Sequence, residues 1–298
     1  MAQKLKKYPS KEGWKKYNER LVQRGELYLN LSFVKTWSEE LECMNEGKRG
    51  SPYEYPDSLM QFCAVFYHFF HLPYRQLEGV LRGLSRFIPD LKAPDYSTPN
   101  RRFSKLEIDL PSRDPHKPLI IAVDSSGIKV TNRGEWMRLK HKGERKGWIK
   151  VHIVVDVESK ELLAVEVTDE CVGDSKMFKS LLEKIENIED VLADGAYDTN
   201  DNFNYMDGRG VGPPGIKVRA NAVIDDESPA RAEAVKERKK LGYKKWKEEH
   251  GYGRRWASEG VFSCVKRVFG ESVRATTVEG MMQEVKMKFL LYNLLLSI

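Results

Sequence analysis

Apolar residues in the first hundred positions recur at helical spacing. Leu27, Leu31, Phe33, Val34, Trp37 and Leu41 follow it from Leu31 onward, until Gly47, Gly50 and Pro52 end the run. A second helix is predicted from Leu59 to Phe70. Leu72-Pro73 breaks it, and Pro73 suits the first turn of a third, Tyr74 to Leu84, where a proline forfeits no helical hydrogen bond. The pattern stops at Pro89. Asp95-Tyr96-Ser97-Thr98-Pro99-Asn100 reads as a turn and cap ahead of a basic stretch, Arg101, Arg102 and Lys105, with Phe103 and Leu106 between them. Helix, tight turn, helix and basic helix fit a helix-turn-helix that binds DNA; they fit a small bundle with a basic surface equally well. Pro111, Pro115 and Pro118 mark residues 109–118 as a linker. The expected division is a basic extension (1–50), a helical domain (51–110) and a second domain (118–298).

Beyond the linker the pattern changes to that of strands. Leu119 to Asp124 is apolar and short. Trp148 to Asp156 is β-branched and partly alternating, Val157 to Glu161 reads as a hairpin turn, and Leu162 to Val167 as a third strand. Sequential strands with short links predict an antiparallel meander. Ser175 to Ile188 returns to helical spacing, with Phe178, Leu181, Leu182 and Ile185 on one side. Val191 to Asp194 is a buried strand, Asn200 to Met206 a helix ending near Gly208, and Ile216 to Val218 a last strand; the remainder is helical. The order predicts an α/β fold, a mixed sheet flanked by helices.

Composition narrows the class. The chain has 298 residues, 41% apolar and 10% aromatic, enough to build a core and too many for a disordered chain. The longest nearly apolar run, Phe289 to Ile298, falls far short of the roughly 20 residues that span a bilayer, so no membrane association is expected. The lysines near the N-terminus precede no apolar core of a secretory signal. Cys43, Cys63, Cys171 and Cys264 form no CxxC pair, which disfavours a zinc knuckle or disulfide scaffold and points to a reducing, cytoplasmic setting. The net charge of +6 says little. Its distribution says more: Lys129 to Lys150 holds eight basic residues against two acidic, and Glu227 to Arg267 holds twelve against six. Lys140, Lys142, Arg145 and Lys146 in the first segment are candidate DNA contacts. Basic segments beside the acidic stretch Asp190 to Asp207 fit phosphodiester chemistry with a divalent metal; two solvated basic faces fit as well.

Three carboxylates stand out. Asp124 and Asp194 each end an apolar strand, where ligands gather in α/β sheets. A carboxylate there is costly unless paired or bound to metal. Glu259 lies in a helical tract with Tyr252, Arg255 and Lys266, spaced 3, 4 and 7 apart, so the four share one stripe of a helix. Val261, Phe262, Val265 and Phe269 fall on another side and would pin that helix to the sheet. Carboxylates from separate elements meet the need of two Mg²⁺ ions about 3.5–4 Å apart, with Arg255 and Lys266 compensating charge or holding phosphate. The plainer readings are turn aspartates and a surface Arg255–Glu259 pair. Asp169, Glu170, Asp174, Asp198 and Asp201 are rivals; Asp174 is expected to cap the helix that follows it, and Asp198 to cap the next or to order the site. His152 reads as structural or DNA-facing, and Asp156 as distant. Trp136, Trp148 and Trp256 can stack on an extruded base, Trp256 best placed, or serve as core anchors.

These motifs carry a resemblance. Ala122-Val123-Asp124-Ser125-Ser126-Gly127, Leu192-Ala193-Asp194-Gly195-Ala196-Tyr197-Asp198 and the Tyr252, Arg255, Glu259, Lys266 spacing resemble the DDE transposases of prokaryotic insertion sequences over about residues 55–298. The closing Lys288-Phe289-Leu290-Leu291-Tyr292-Asn293-Leu294 is similar too. The resemblance implies an RNase H-like core and Mg²⁺ dependence, with Mn²⁺ substituting. It implies Asp124, Asp194 and Glu259 as the catalytic and metal-holding carboxylates, with Tyr252, Arg255 and Lys266 completing the helix signature. It implies terminal inverted repeats and target DNA as partners, a homodimer in a synaptic complex, and DNA-end binding by the helical region near 55–107. Phe289 to Leu296 is a candidate interface or simply a helix packed on its own core. The alternatives are a transposase-derived DNA-binding protein without activity, and an RNase H-like nuclease that cuts without joining.

Overall fold

The computed structural model describes residues 11–108, 117–130, 147–224 and 227–296. The chain divides into two units, Met1–Leu106 with Leu294–Ile298, and Glu107–Asn293.

The first unit is helical: α1 (Lys11–Tyr28), α2 (Phe33–Asn45), α3 (Asp57–Phe69), α4 (Tyr74–Leu84) and α5 (Ser97–Phe103). α3 is apolar on nearly every side, so it takes the centre, with Leu59, Met60, Phe62, Cys63, Ala64 and Val65 buried. Phe33 of α2 packs on Phe62 at 5.2 Å between rings. Leu77 and Leu81 of α4 are fully buried. Phe103 of α5 meets Tyr67 and Tyr74. Asp95 does the capping expected of its turn, its Oδ1 accepting from the Ser97 and Thr98 amides at 2.9 Å. The helix nevertheless begins at Ser97, inside the predicted turn. α1 had no counterpart in the pattern, because Trp14, Tyr17, Leu21 and Val22 along it are exposed and no core-facing stripe forms.

The second unit is built on five strands: β1 (Leu119–Lys129), β2 (Trp148–Asp156), β3 (Leu162–Asp169), β4 (Ile188–Ala193) and β5 (Gly215–Ile216). Their order is β3-β2-β1-β4-β5. The first three form the antiparallel meander, β4 runs parallel to β1, and β5 parallel to β4. Helices α6 (Asp174–Leu182), α7 (Asn200–Gly208), α8 (Pro229–Glu249), α9 (Trp256–Phe269) and α10 (Val278–Leu296) flank this mixed sheet, an RNase H-like arrangement. Alternation assigns the two faces. Ile121, Val123 and Val154 face Phe178, Leu181, Tyr197 and Phe203 in one core. On α9, Val261, Phe262, Val265 and Phe269 are buried as the sequence predicts, and the helix packs on β1 and β2. Phe289 and Leu291 of α10 are buried against this unit, Phe289 on Phe262, and Asn293 pairs both ways with the Leu162 backbone. No helix among the described residues is long and apolar enough to cross a membrane.

Several boundaries differ from expectation: β3 runs on to Asp169, β4 is Ile188–Ala193 rather than Val191 to Asp194, and β5 is Gly215–Ile216 rather than Ile216 to Val218. α6 ends at Leu182, short of Ile188, and Ile185 is buried in the following turn. β1 runs on to Lys129, so Asp124 lies inside a strand rather than at its end. The extension Ser125-Ser126-Gly127 has no apolar signature; pairing with β2, from Ser125 opposite His152 to Lys129 opposite Trp148, holds it extended.

Candidate active site

Sheet topology brings the two aspartates together. The parallel pairing of β1 and β4 ends at Val123 opposite Ala193. Asp124 follows one and Asp194 follows the other, so both emerge where β4 stops and β1 continues. Asp194 then caps a short 3-10 turn, Gly195–Tyr197, its Oδ1 accepting from the Ala196 amide at 2.8 Å. A side chain at Gly195 would press on the Lys217 carbonyl at 3.3 Å, so the turn lies close against the chain.

Asp124 projects to the face covered by α9. Its Oδ2 accepts from Arg255 Nη1 at 2.8 Å and from Ser258 Oγ at 2.9 Å, and its Oδ1 from the Ser125 amide at 2.9 Å. Burial pushes the Asp124 carboxyl above the usual range against these three donors, and the charge of Asp194 adds to the rise. Arg255 also pairs with Glu259 through Nη2, so one guanidinium joins the strand carboxylate to the helix carboxylate. Burial works against its charge, but Asp124, Tyr252 and Glu259 hold Arg255 above the ordinary guanidinium range. Two residues along β1 on the same face, Ser126 Oγ accepts from Lys266 Nζ at 2.8 Å. The Tyr252–Lys266 signature therefore lies along one face of β1. It is not one continuous α-helix: Tyr252–Arg255 is a 3-10 turn that leads into α9. Tyr252 is buried under Trp246, rings 5.2 Å apart, and burial pushes its hydroxyl up to about 12.

The opposite face of β1 carries a polar cluster that spacing did not reveal. Ser125 points there and donates to Asp174 Oδ1 at 2.6 Å. The same oxygen takes Lys150 Nζ at 2.7 Å and lies 3.6 Å from His152 Nδ1. Asp174 is thus the first residue of α6 and binds across the sheet, whereas the expected side-chain cap is not made. His152 is fully buried with Nε2 2.9 Å from Thr168 Oγ1, the structural role expected of it, and burial lowers its pKa to about 4. Asp198 orders the site's rim: Arg231 Nε reaches its Oδ1 at 2.7 Å and the Arg219 amide its Oδ2 at 2.9 Å, while Thr199 caps α7. Asp156 serves the β2–β3 turn, accepting from the Glu158 amide and Ser159 Oγ. Alternation along β1 was the signal for Ser125, and the position between Arg255 and Glu259 was the signal for Ser258.

The remaining candidates are dispersed. Trp256 is 72% exposed at the start of α9. Trp148 lies against Gly127, with Lys129 above its ring. In the helical unit Arg101 and Lys105 are exposed, but Arg102 is engaged by the Tyr55 carbonyl, Asp57 and the Tyr53 ring. Lys140, Lys142, Arg145, Lys146 and Trp136 lie outside the described residues.

Whether the carboxylates suit a metal depends on donor chemistry and charge. Asp124, Asp194 and Glu259 offer only hard oxygens, the class that takes Mg²⁺ or Mn²⁺. Among the described residues no three acidic, histidine or cysteine side chains already converge on one point. Arg255 stands as the counter-charge between Asp124 and Glu259. The donor chemistry suits a divalent cation, while Arg255 lies between Asp124 and Glu259 in this structure.

Two family models match the chain, both described as a transposase DDE domain, one over residues 115–294 and the other over residues 22–133.

Proposed function

The chain belongs to the DDE transposase family, and from that premise we propose that it cuts DNA at terminal inverted repeats and joins the freed 3′ ends to target DNA. Family membership implies a metal-dependent nuclease and DNA binding. The observation that carries the finer reading is the meeting of Asp124 and Asp194 beyond the parallel β1–β4 pair, with Arg255 linking Asp124 to Glu259.

In this reading Asp124, Asp194 and Glu259 hold Mg²⁺, with Mn²⁺ able to replace it. Such ions supply activation of the attacking oxygen and neutralisation of the leaving one. Arg255, released from Glu259, keeps Asp124 oriented and turns its free edge to a phosphate; its planar fork suits that exchange. Ser258 fixes the second direction on Asp124 Oδ2. Lys266, held by Ser126, sets a positive charge one β1 repeat away. Trp256 presents an exposed face beside Arg255 for a base unstacked from the end. Arg101 and Lys105 contact the end from the helical unit, and a homodimer brings two ends together.

The test uses a labelled duplex carrying the terminal repeat and a supercoiled plasmid target, with wild type and Glu259→Gln, in Mg²⁺. Wild type is expected to nick the end and join it, and the variant to lose both by about 100-fold or more. Unchanged cleavage in the variant would sink the assignment. Cleavage without joining by wild type would make the chain a nuclease, and binding without cleavage a DNA-binding protein.

A further inference from the structure

The largest concentration of charge in the second unit lies outside the carboxylate site, on α8. From Lys236 to Lys247 the chain carries seven cationic side chains against the single carboxylate of Glu237. Lys236, Lys239, Lys240, Lys244, Lys245 and Lys247 are exposed. Glu237 is engaged by His250 at 3.0 Å, and among the described residues only Lys245 of the six pairs with a carboxylate, Glu249 at 3.6 Å. Such a density of like charge lowers stability unless a polyanion is bound.

The helix is shaped and braced around these lysines. Gly242 has φ 72°, a left-handed value that interrupts the helix and bends it in the middle of the basic run. Behind the bend Trp246 turns inward while Tyr243 stays partly exposed. Trp246 is buried, stacked with Tyr243 and packed on Tyr252. Arg238, the one guanidinium in the run, lies over the Tyr243 and Trp246 rings at 4.5 and 5.5 Å. At the other end Arg231 anchors α8 to Asp198. What faces out is six ammonium groups, with Tyr243 among them and the carboxylates of Glu233, Glu248 and Glu249 toward the two ends of the helix. α8 contains no Asn, Gln, Ser or Thr, the side chains that join arginine in reading base edges. A lysine can reach a guanine edge, but as a flexible point charge it mostly contacts phosphate, which carries no sequence information.

Resting on the transposase reading, we infer that the lysine face of α8 seats the target duplex. An end must be recognised by sequence, whereas a target is joined with little regard to it, and a surface of lysines without Asn or Gln, its one nearby arginine laid over aromatic rings, suits the second. Its place agrees: the Trp246–Tyr252 contact packs the second half of the bent helix on the turn that carries Arg255.

The experiment compares full-length wild type with Lys239→Gln/Lys240→Gln/Lys244→Gln and with the corresponding triple Lys→Arg variant. Three quantities are measured: nicking of the labelled end, joining of a pre-cut end to supercoiled plasmid, and affinity for a random-sequence 40-bp duplex (about four helical turns) as KCl is varied. The Gln variant is expected to nick the end within about twofold of wild type and to lose joining by about tenfold or more. Its slope of log affinity against log salt should fall by about 3, one per lysine, and the Arg variant should restore it. Equal losses in nicking and joining would assign the face to the end and overturn the inference; so would full joining by the Gln variant. If wild type nicks no end at all, the transposase reading itself fails. The random duplex then still decides: unchanged affinity in the Gln variant removes DNA from this face altogether.

Discussion

Asp124 carries the conflict of the site within one side chain. It is held by Arg255, Ser258 and the Ser125 amide, yet burial and the neighbouring Asp194 raise its carboxyl, so its ionised form is a net cost to the fold. Asp124→Asn keeps the shape and an acceptor while removing the charge. In EDTA the relief of a buried charge is opposed by the loss of Arg255's partner and by an amide N–H₂ set against a donor, so the diagnostic is the response to metal. Added Mg²⁺ should raise the wild-type melting temperature and leave the variant's unmoved. A variant that Mg²⁺ stabilises as much as it does the wild type would remove Asp124 from the metal site. His152 makes the opposite case on the other face of β1. Burial is the main cause that lowers its pKa to about 4, with Lys150 adding and Asp174 opposing. The folded protein therefore holds the ring neutral. Above the unfolded value of 6.5 this group has no effect on stability; as pH falls from 6.5 toward 4 the unfolded chain takes up the proton first and stability is lost, on the order of 3 kcal/mol by pH 4. His152→Gln, which can still meet Thr168, should flatten the denaturation midpoint over that window. An unaltered pH profile would remove His152 as the source.

At the scale of elements, the Asp198–Arg231 pair decides whether the basic helix stays with the sheet. The Asp198 side chain is fully buried and Arg231 nearly so, and the contact ties the turn after β4 to the start of α8. Asp198→Asn leaves a buried guanidinium with too few partners, and is expected to cost about 3–5 kcal/mol in urea unfolding. A loss under about 1 kcal/mol would mean that α8 is held by its apolar residues alone. The same element scale shows why some of the fold is legible in the sequence. α4 and β2 coincide with the predicted Tyr74–Leu84 and Trp148–Asp156, because α4 buries one side at helical period and β2, buried on both faces from Val151 to Asp156, is a short β-branched run. α1 buries too little to leave such a period, and the polar half of β1 is extended only because β2 pairs with it. Long-range pairing also explains what the site concealed. The spacing from Tyr252 to Lys266 is local and was readable; the bond from Ser125 to Asp174 joins residues on separate elements across the sheet, and only the three-dimensional register brings them together.

For the whole molecule, the formal net charge of +6 understates what a DNA duplex would meet. Asp and Glu offset most of the lysine and arginine in the sum, but not in space. The six exposed lysines of α8 lie within twelve residues, Arg254 and Arg267 are exposed on the 3-10 turn and on α9, and Arg101 and Lys105 are exposed on the helical unit. Long-range attraction follows the sum and is modest, whereas counterion release follows the phosphates actually contacted. If six or more of these groups each neutralise a phosphate, log affinity against log salt should have a slope of about −5 or steeper between 50 and 200 mM KCl. That corresponds to a loss of about a thousandfold over the range. A slope of about −1 to −2 would mean that most of these side chains are solvated and that the duplex touches only the neighbourhood of Arg255 and Lys266. Because the readout is a slope rather than an affinity, it separates these two pictures without knowledge of the repeat sequence, and it can be measured on wild type with a random duplex.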